Sequence, residues 1–245
     1  MTRMPALGMV ATPGRRAQMI EIAKQADERG FTGIHVPSLS ACMPFCQAVL
    51  AETKNIIVGT SIQPIYLQHP RELAANAALL HEISGGRFHM GIGVSHAPVY
   101  DRLGLSVGKP ISDMRDYVAS MRAQEDVGEL PPIVLATLRN KMLTLSGEAG
   151  DGAVWANGAR SYIPSQLEVT GVKASDNFFI GNMLPTVIDD DREAAGAVHK
   201  RTISGYLNLP NYRNYWREAG YADPIAEVET AIEADDQSRL PDIMG

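Results

Sequence analysis

Four residues at the end of one apolar segment could do chemistry together. In GRFHMGIGVSHAP, residues 86–98, Phe88, Met90, Ile92 and Val94 alternate with small or polar residues, the two-residue period of a strand. Gly91 and Gly93 carry no side chain there, and Ser95 and His96 follow with a hydroxyl and an imidazole. A strand that clears two positions and then presents a proton-transfer group suits a flat ring lying against the glycines, with His96 facing it. An imidazole of ordinary pKa, about 6.5, exchanges a proton near neutral pH.

Such a strand end has to be held by neighbouring elements, and the pattern supplies them in alternation. Residues 6–10 read as a first short strand; 15–29 read as a helix with Met19, Ile22, Ala23 and Ala26 on one face and Gly30 as its stop. GIHV (33–36) and NIIVGTSI (55–62) are the next strands, and a helix begins near Pro70, with Leu73, Ala77 and Leu80 inward, and stops at Gly85 and Gly86. The opening segment is strand four. A helix over 112–122, a strand over 131–137, a helix over about 139–148 and strands over 152–156 and 177–184 follow. Asp189, Asp190 and Asp191 head a helix over about 190–204, and 211–219 and 224–234 are helical.

Strands separated by single helices imply parallel βαβ units. Two layouts fit, a doubly wound sheet and a (β/α)8 TIM barrel. A dinucleotide site needs G-x-G-x-x-G after the first strand. Here Gly91-Ile92-Gly93-Val94-Ser95-His96 has histidine in place of the third glycine and lies in the fourth strand. The barrel is therefore the expected α/β fold, as one domain over 1–245.

Composition narrows the class. With 245 residues, 45% apolar and 20% charged, the chain has the balance of a globular protein with a large core. A net charge of −6 argues against nucleic acid or an anionic membrane as partner. No membrane-length apolar run or signal-peptide pattern occurs, so a cytoplasmic protein is expected. Cys42 and Cys46 have no Cys/His partners that would complete a zinc set, and they read as free, buried thiols.

In a barrel the functional groups collect at the C-terminal ends of the strands. Those ends here are Ser38 to Ser40, Thr60-Ser61-Ile62, Ser95-His96, Thr137 running into Arg139-Asn140-Lys141, and the neighbourhood of Asn157. They are small and hydroxylic, with one histidine and one cationic cluster. Triad hydrolysis, paired-carboxylate chemistry and metal-assisted hydrolysis lack their side chains. A bound cofactor carrying the chemistry fits such a ring of groups.

The run from Gly59 to Val99 (GTSIQPIYLQHPRELAANAALLHEISGGRFHMGIGVSHAPV), then ELPPIVLATLRNKMLTLSGEAGDGAVWAN and PNYRNYWREAGY, resembles the bacterial luciferase-like monooxygenase superfamily, in its flavin- or coenzyme F420-dependent branch. The resemblance implies a (β/α)8 barrel with a flavin or deazaflavin ring in its mouth. It implies a non-prolyl cis peptide at Ser61–Ile62 behind that ring, backbone approach at Gly91 and Gly93, and His96 as the acid that protonates the substrate. Ser38, Thr60, Ser95, Thr137, Arg139, Asn140 and Lys141 complete the implied cofactor contacts, and His69 falls at the family's His-Pro helix start. The remaining histidines, His35, His81, His89 and His199, read as structural or solvated.

Three departures from that pattern stand out. Relatives carry a Gly-Pro pair where this chain has Arg139-Asn140, so cationic side chains replace backbone access to a cofactor phosphate. Strand two ends in Ser38-Leu39-Ser40, without the acid and histidine of relatives. The last βα unit and a lid insertion before strand five are not seen, and segments outside the given residues are the expected explanation. The expected activity is hydride transfer between F420 and a small organic substrate. The alternatives are an FMN-dependent monooxygenase served by a separate flavin reductase, and a ligand-binding homologue without turnover. No metal is expected, and the Ala- and Leu-rich helix 70–83 is the expected homodimer face.

Overall fold

Apolar strands do alternate with amphipathic helices, and the helices supply the crossovers between parallel neighbours. The computed structural model describes residues 4–37, 41–173, 175 and 177–243. In chain order it contains β1 (Leu7–Gly8), α1 (Arg16–Glu28), β2 (Gly33–Val36), α2 (Cys42–Glu52), β3 (Ile57–Thr60), β4 (Gln63–Pro64) and, after a 3-10 turn at Ile65–Leu67, α3 (Pro70–Ile83). Next come β5 (Phe88–Gly93), α4 (Ala97–Leu103), α5 (Pro110–Arg122), β6 (Ile133–Ala136), α6 (Asn140–Ala149), β7 (Gly152–Ala156), α7 (Ile163–Thr170) and β8 (Phe179–Met183). The C-terminal part is helical, with α8 (Arg192–Leu207), α9 (Pro210–Glu218), α10 (Ala222–Glu233) and α11 (Leu240–Ile243).

The strands lie in the order β1-β2-β3-β5-β6-β7-β8, with β4 also paired to β5, and the registered pairs from β1 to β7 are parallel. This is the TIM-barrel-like α/β fold expected from the alternation. No helix among the described residues is long and apolar enough to cross a membrane.

Contacts divide the chain into two units. The first runs to Thr137 and includes Lys141–Val154 and Val172–Gly181. In it, α1 buries Ala23 and Ala26 and ends before Gly30, whose φ of 79° suits glycine. Helix α2 buries Cys42, Met43, Phe45, Cys46, Val49 and Leu50; both thiols are free, and Cys42 Sγ donates to the Val36 carbonyl. His69 caps α3 by accepting from the Arg71 amide. Two charged side chains secure the N-terminal side of β3. Asp27 accepts from the amides of Lys54, Asn55 and Ile56, while the Arg87 guanidinium donates to the carbonyls of Leu50, Thr53 and Ile56.

His35, Gly59 and His89 are register partners in one row across β2, β3 and β5. The Phe179 ring packs against both imidazoles, with centroids 5.7 and 6.3 Å away. Burial, with His89 beside it, lowers the His35 pKa to about 4, and burial lowers that of His89 as well. This part of the interior therefore holds neutral imidazoles at pH 7.

The second unit consists of Leu138–Asn140, Trp155–Gly171 and the chain from Asn182 onward. Helix α8 is capped by Asp191, whose carboxylate accepts from the amides of Glu193 and Ala194, an arrangement worth about 1 kcal/mol. Helix α9 buries Tyr212, Tyr215 and Trp216, spaced i, i+3, i+4 on one face. Glu229 of α10 receives both Arg213 and Arg217 from α9.

Candidate functional site

β3 does not continue straight into β4. Val58 and Gly59 pair with Phe88 and His89, whereas Gln63 and Pro64 pair with Ile92 and Gly93. A step of five residues thus faces a step of four, which makes a one-residue bulge. Within the bulge the Ser61–Ile62 peptide is cis, at the position the resemblance implies. The bulge is tied to both neighbouring strands, since the Ser61 amide donates to the Val36 carbonyl at 2.9 Å and Thr60 Oγ1 donates to the Gly91 carbonyl at 2.6 Å.

The bulge explains why both positions are glycine. A Cβ on Gly91 would stand 2.1 Å from the Thr60 carbonyl oxygen. One on Gly93 would stand 2.8 Å from Ile62 Cγ1 and 2.9 Å from Ala136 Cβ. The space cleared at Gly91 and Gly93, expected to receive a ring, is taken in that direction by the chain's own Thr60, Ile62 and Ala136.

Beyond Gly93 the strand turns sharply. Ser95 has a left-handed φ of 54°, and His96 is extended and leads into α4. Tyr100, one turn on, is buried and meets the Tyr66 ring edge-on at 5.1 Å, and Tyr66 in turn donates to Asp113 of α5 at 2.5 Å. His96 therefore sits at the head of an anchored helix. Burial pushes the Tyr100 hydroxyl up to about 12 and pulls the His96 imidazole below its ordinary value.

Thr137 follows β6. It is buried, its amide donates to the Val154 carbonyl, and its Oγ1 meets no partner among the described residues. Lys141 is exposed in the first turn of α6. Ser38 lies outside the described residues.

Arg139 and Asn140 belong to the second unit, where both side chains have protein partners. Arg139 Nε donates to Glu218 Oε1 at 2.9 Å and its Nη2 donates to the same oxygen, so the guanidinium expected to grip a phosphate is engaged by a carboxylate of α9. That bond and the Glu218 charge hold its pKa up. Asn140 Oδ1 accepts from Gln166 Nε2, and the fully buried Gln166 also donates to the Leu138 carbonyl and accepts from Trp155 Nε1. The Asn140 side-chain oxygen is thus part of an internal network.

Asn157, just past β7, carried no assigned role in the sequence, and the Asn-Gly pair at 157–158 was its only local signal. It is buried at a φ of 55°, with Nδ2 unpartnered among the described residues.

The sequence profile of the luciferase-like monooxygenases matches residues 4–242. The chain belongs to this family. A curated relative, the 5,10-methylenetetrahydromethanopterin reductase of Methanolobus tindarius, is 28% identical over 155 residues, which are 54% of this chain and 48% of that one. The chain thus spans about half the length of that curated relative. Among solved structures, the coenzyme F420-dependent tetrahydromethanopterin reductase of Methanopyrus kandleri superposes with a TM-score of 0.71 at 16% identity, covering 97% of this chain and 82% of that one. A type II Baeyer-Villiger monooxygenase of Pseudomonas putida in complex with FMN gives 0.66 at 18% identity, over 91% and 78%. At such identities these two likenesses establish the luciferase-like fold.

Proposed function

We propose that this protein is an oxidoreductase using coenzyme F420 and a small organic substrate, with His96 moving the proton that accompanies hydride transfer. The observation that carries this reading is the bulge at residues 61–62 lying over Gly91 and Gly93, directly before Ser95 and His96. It forms a tied-down shelf at the C-terminal end of β5, the side where barrel enzymes bind their ligands. Thr137 fits a cofactor as well, because a buried hydroxyl with no partner among the described residues suits an acceptor or donor from a ligand. The names of the Methanolobus and Methanopyrus relatives supply the reductase and F420 parts of the reading.

When bound, the deazaflavin supplies the hydride chemistry. The chain's own groups would bind and orient it: Thr137 through its Oγ1, which has no partner among the described residues, Lys141 with a cation, and the 61–62 bulge with its shelf. His96 handles the proton. Because burial lowers its pKa, neutral imidazole dominates at pH 7. That form accepts a proton in the oxidative direction as it stands. In the reductive direction only the protonated fraction donates, so the reduction rate falls as pH rises through a pKa below 6.5. His96→Gln is expected to remove that limb of the kcat profile and to cost about 10²–10⁴-fold in rate. A variant that keeps the limb would assign the proton elsewhere.

Equilibrium binding of F420 and of FMN, followed by cofactor fluorescence, tests the reading. Selective F420 binding supports it. Preference for FMN favours the second reading, an FMN-dependent monooxygenase fed by a separate reductase, to which the FMN-bound neighbour lends support. Binding of neither at micromolar concentration points to the homologue without turnover. A cytoplasmic homodimer belongs to the same proposal, with Leu79 and Ile83 of α3, 50% and 57% exposed, as the face a second copy covers. Light scattering that returns a monomer would remove that part.

A further inference from the structure

We infer that Cys42 is a positioning residue for the cofactor shelf, acting through the Val36 carbonyl on the bulge at residues 61–62. The inference rests on the proposed function for what the shelf does, and its geometry lies wholly within the first unit.

The bulge is tied on two sides. Towards β5, Thr60 Oγ1 donates to the Gly91 carbonyl at 2.6 Å. Towards β2, the Ser61 amide donates to the Val36 carbonyl at 2.9 Å. Val36 is the last residue of β2, and the direction of its carbonyl sets where the Ser61 amide comes to rest. The start of the bulge follows that amide.

The same carbonyl has a second donor. Cys42 opens α2, and its thiol donates to the Val36 oxygen at 3.2 Å. A carbonyl oxygen has two lone pairs, so it accepts from the thiol and from the Ser61 amide together. The thiol itself is held in place. Cys42 is 2% exposed, and Met43, Phe45, Cys46 and Val49 beside it on α2 are buried as well. A packed helix thus fixes the oxygen from one side while the shelf hangs from it on the other.

A thiol is a weak donor, and this separates positioning from stability. Its bond adds little to folding, whereas a carbonyl that turns carries with it the amide it holds. An apolar side chain would fill the same space without directing the oxygen. Cys46, one turn on, shows the contrast. It is fully buried, and burial with Cys42 beside it holds its thiol well above the usual range, as in a packed and unreactive cysteine.

The test compares three variants. Cys42→Ala removes the donor, Cys42→Ser keeps one, and Cys46→Ala removes an equal volume elsewhere on α2. Melting curves establish that each folds, and the two alanine variants are expected to lose similar stability. Affinity for the cofactor that wild type takes, F420 or FMN, is expected to separate them. Cys42→Ala should weaken it about threefold, whereas Cys42→Ser and Cys46→Ala should stay close to wild type. Amide hydrogen exchange at Ser61, measured without cofactor, should be about threefold faster in Cys42→Ala alone. Because the chain has two cysteines, Cys46→Ala also leaves Cys42 with the only S–H stretching band, which should shift when cofactor binds. Equal affinity losses in the two alanine variants, no rescue by serine, or a band that cofactor leaves unmoved overturns the inference. Should Cys42→Ala fail to fold, the band decides. If wild type binds neither F420 nor FMN, the proposed function falls, and exchange at Ser61 alone decides whether Cys42 holds the bulge.

Discussion

At the scale of single residues, the pair Arg139–Glu218 separates binding from stability. Both side chains are partly exposed, 51% and 35%, and such pairs contribute about 1 kcal/mol or less. Glu218→Gln should therefore leave the melting temperature nearly unchanged. It should also release the guanidinium's charge for a phosphate, tightening FMN or F420 by about threefold to tenfold while riboflavin stays constant. Weaker cofactor binding in this variant would mean that Glu218 positions Arg139 rather than competes for it. The cation itself was legible in the sequence, but its engagement was not. Glu218 lies 79 residues further along, and no local pattern announces so distant a partner. Ser61–Ile62 and the Ser95–His96 turn were legible because resemblance and strand-end chemistry pointed to the same short stretch. Asn157 offered only its pairing with Gly158.

At the scale of elements, the bulge between β3 and β4 and the glycines of β5 are one device. A methyl group at 91 would stand 2.1 Å from the Thr60 carbonyl, a backbone atom that cannot swing aside. Gly91→Ala is expected to destabilise the protein by about 3 kcal/mol or more, read from urea midpoints, and to weaken cofactor binding in the folded fraction. A variant of wild-type stability would show that the bulge yields easily and is not a fixed shelf. The sequence presents residues 55–62 as one strand because five of the eight are β-branched; the interruption arises from the neighbouring strand's register, which one segment cannot reveal. Helix α2 escaped notice for another reason. It buries Cys42, Met43, Phe45, Cys46, Val49 and Leu50, so its apolar surface is too broad to show a sharp helical period. Helices α4 and α7, of seven and eight residues, are too short for periodicity to stand out. By contrast α1, α3 and α5 each carry a clear inward stripe, and the βα alternation that defines the fold was readable from them.

For the whole molecule, the buried imidazoles tie stability to pH. His35, His89 and His96 all have pKa values lowered by burial, that of His35 to about 4. In the unfolded chain each returns to about 6.5. Below that pH the unfolded chain takes up protons that the folded chain refuses, so stability falls as pH drops from about 6.5 towards 4. It levels off for His35 only once the folded imidazole is itself protonated. For His35 alone the gap is worth about 3 kcal/mol, a large part of the roughly 5–15 kcal/mol that holds a typical protein folded. Carboxylates act in a different window. The pKa values of Asp126 and Glu229 are lowered by their arginine partners, so their contribution is present above the ordinary carboxylate range and is lost only as pH falls through and below it. Between pH 6.5 and about 4.5 the histidines therefore dominate. Urea midpoints measured from pH 8 down to 4.5 should fall steadily below pH 6.5, and His35→Gln, which cannot take up the proton, should flatten a large part of that slope. An unaltered slope in His35→Gln would move the acid sensitivity to His89 and His96, and a flat wild-type profile would mean that water reaches the row of His35, Gly59 and His89.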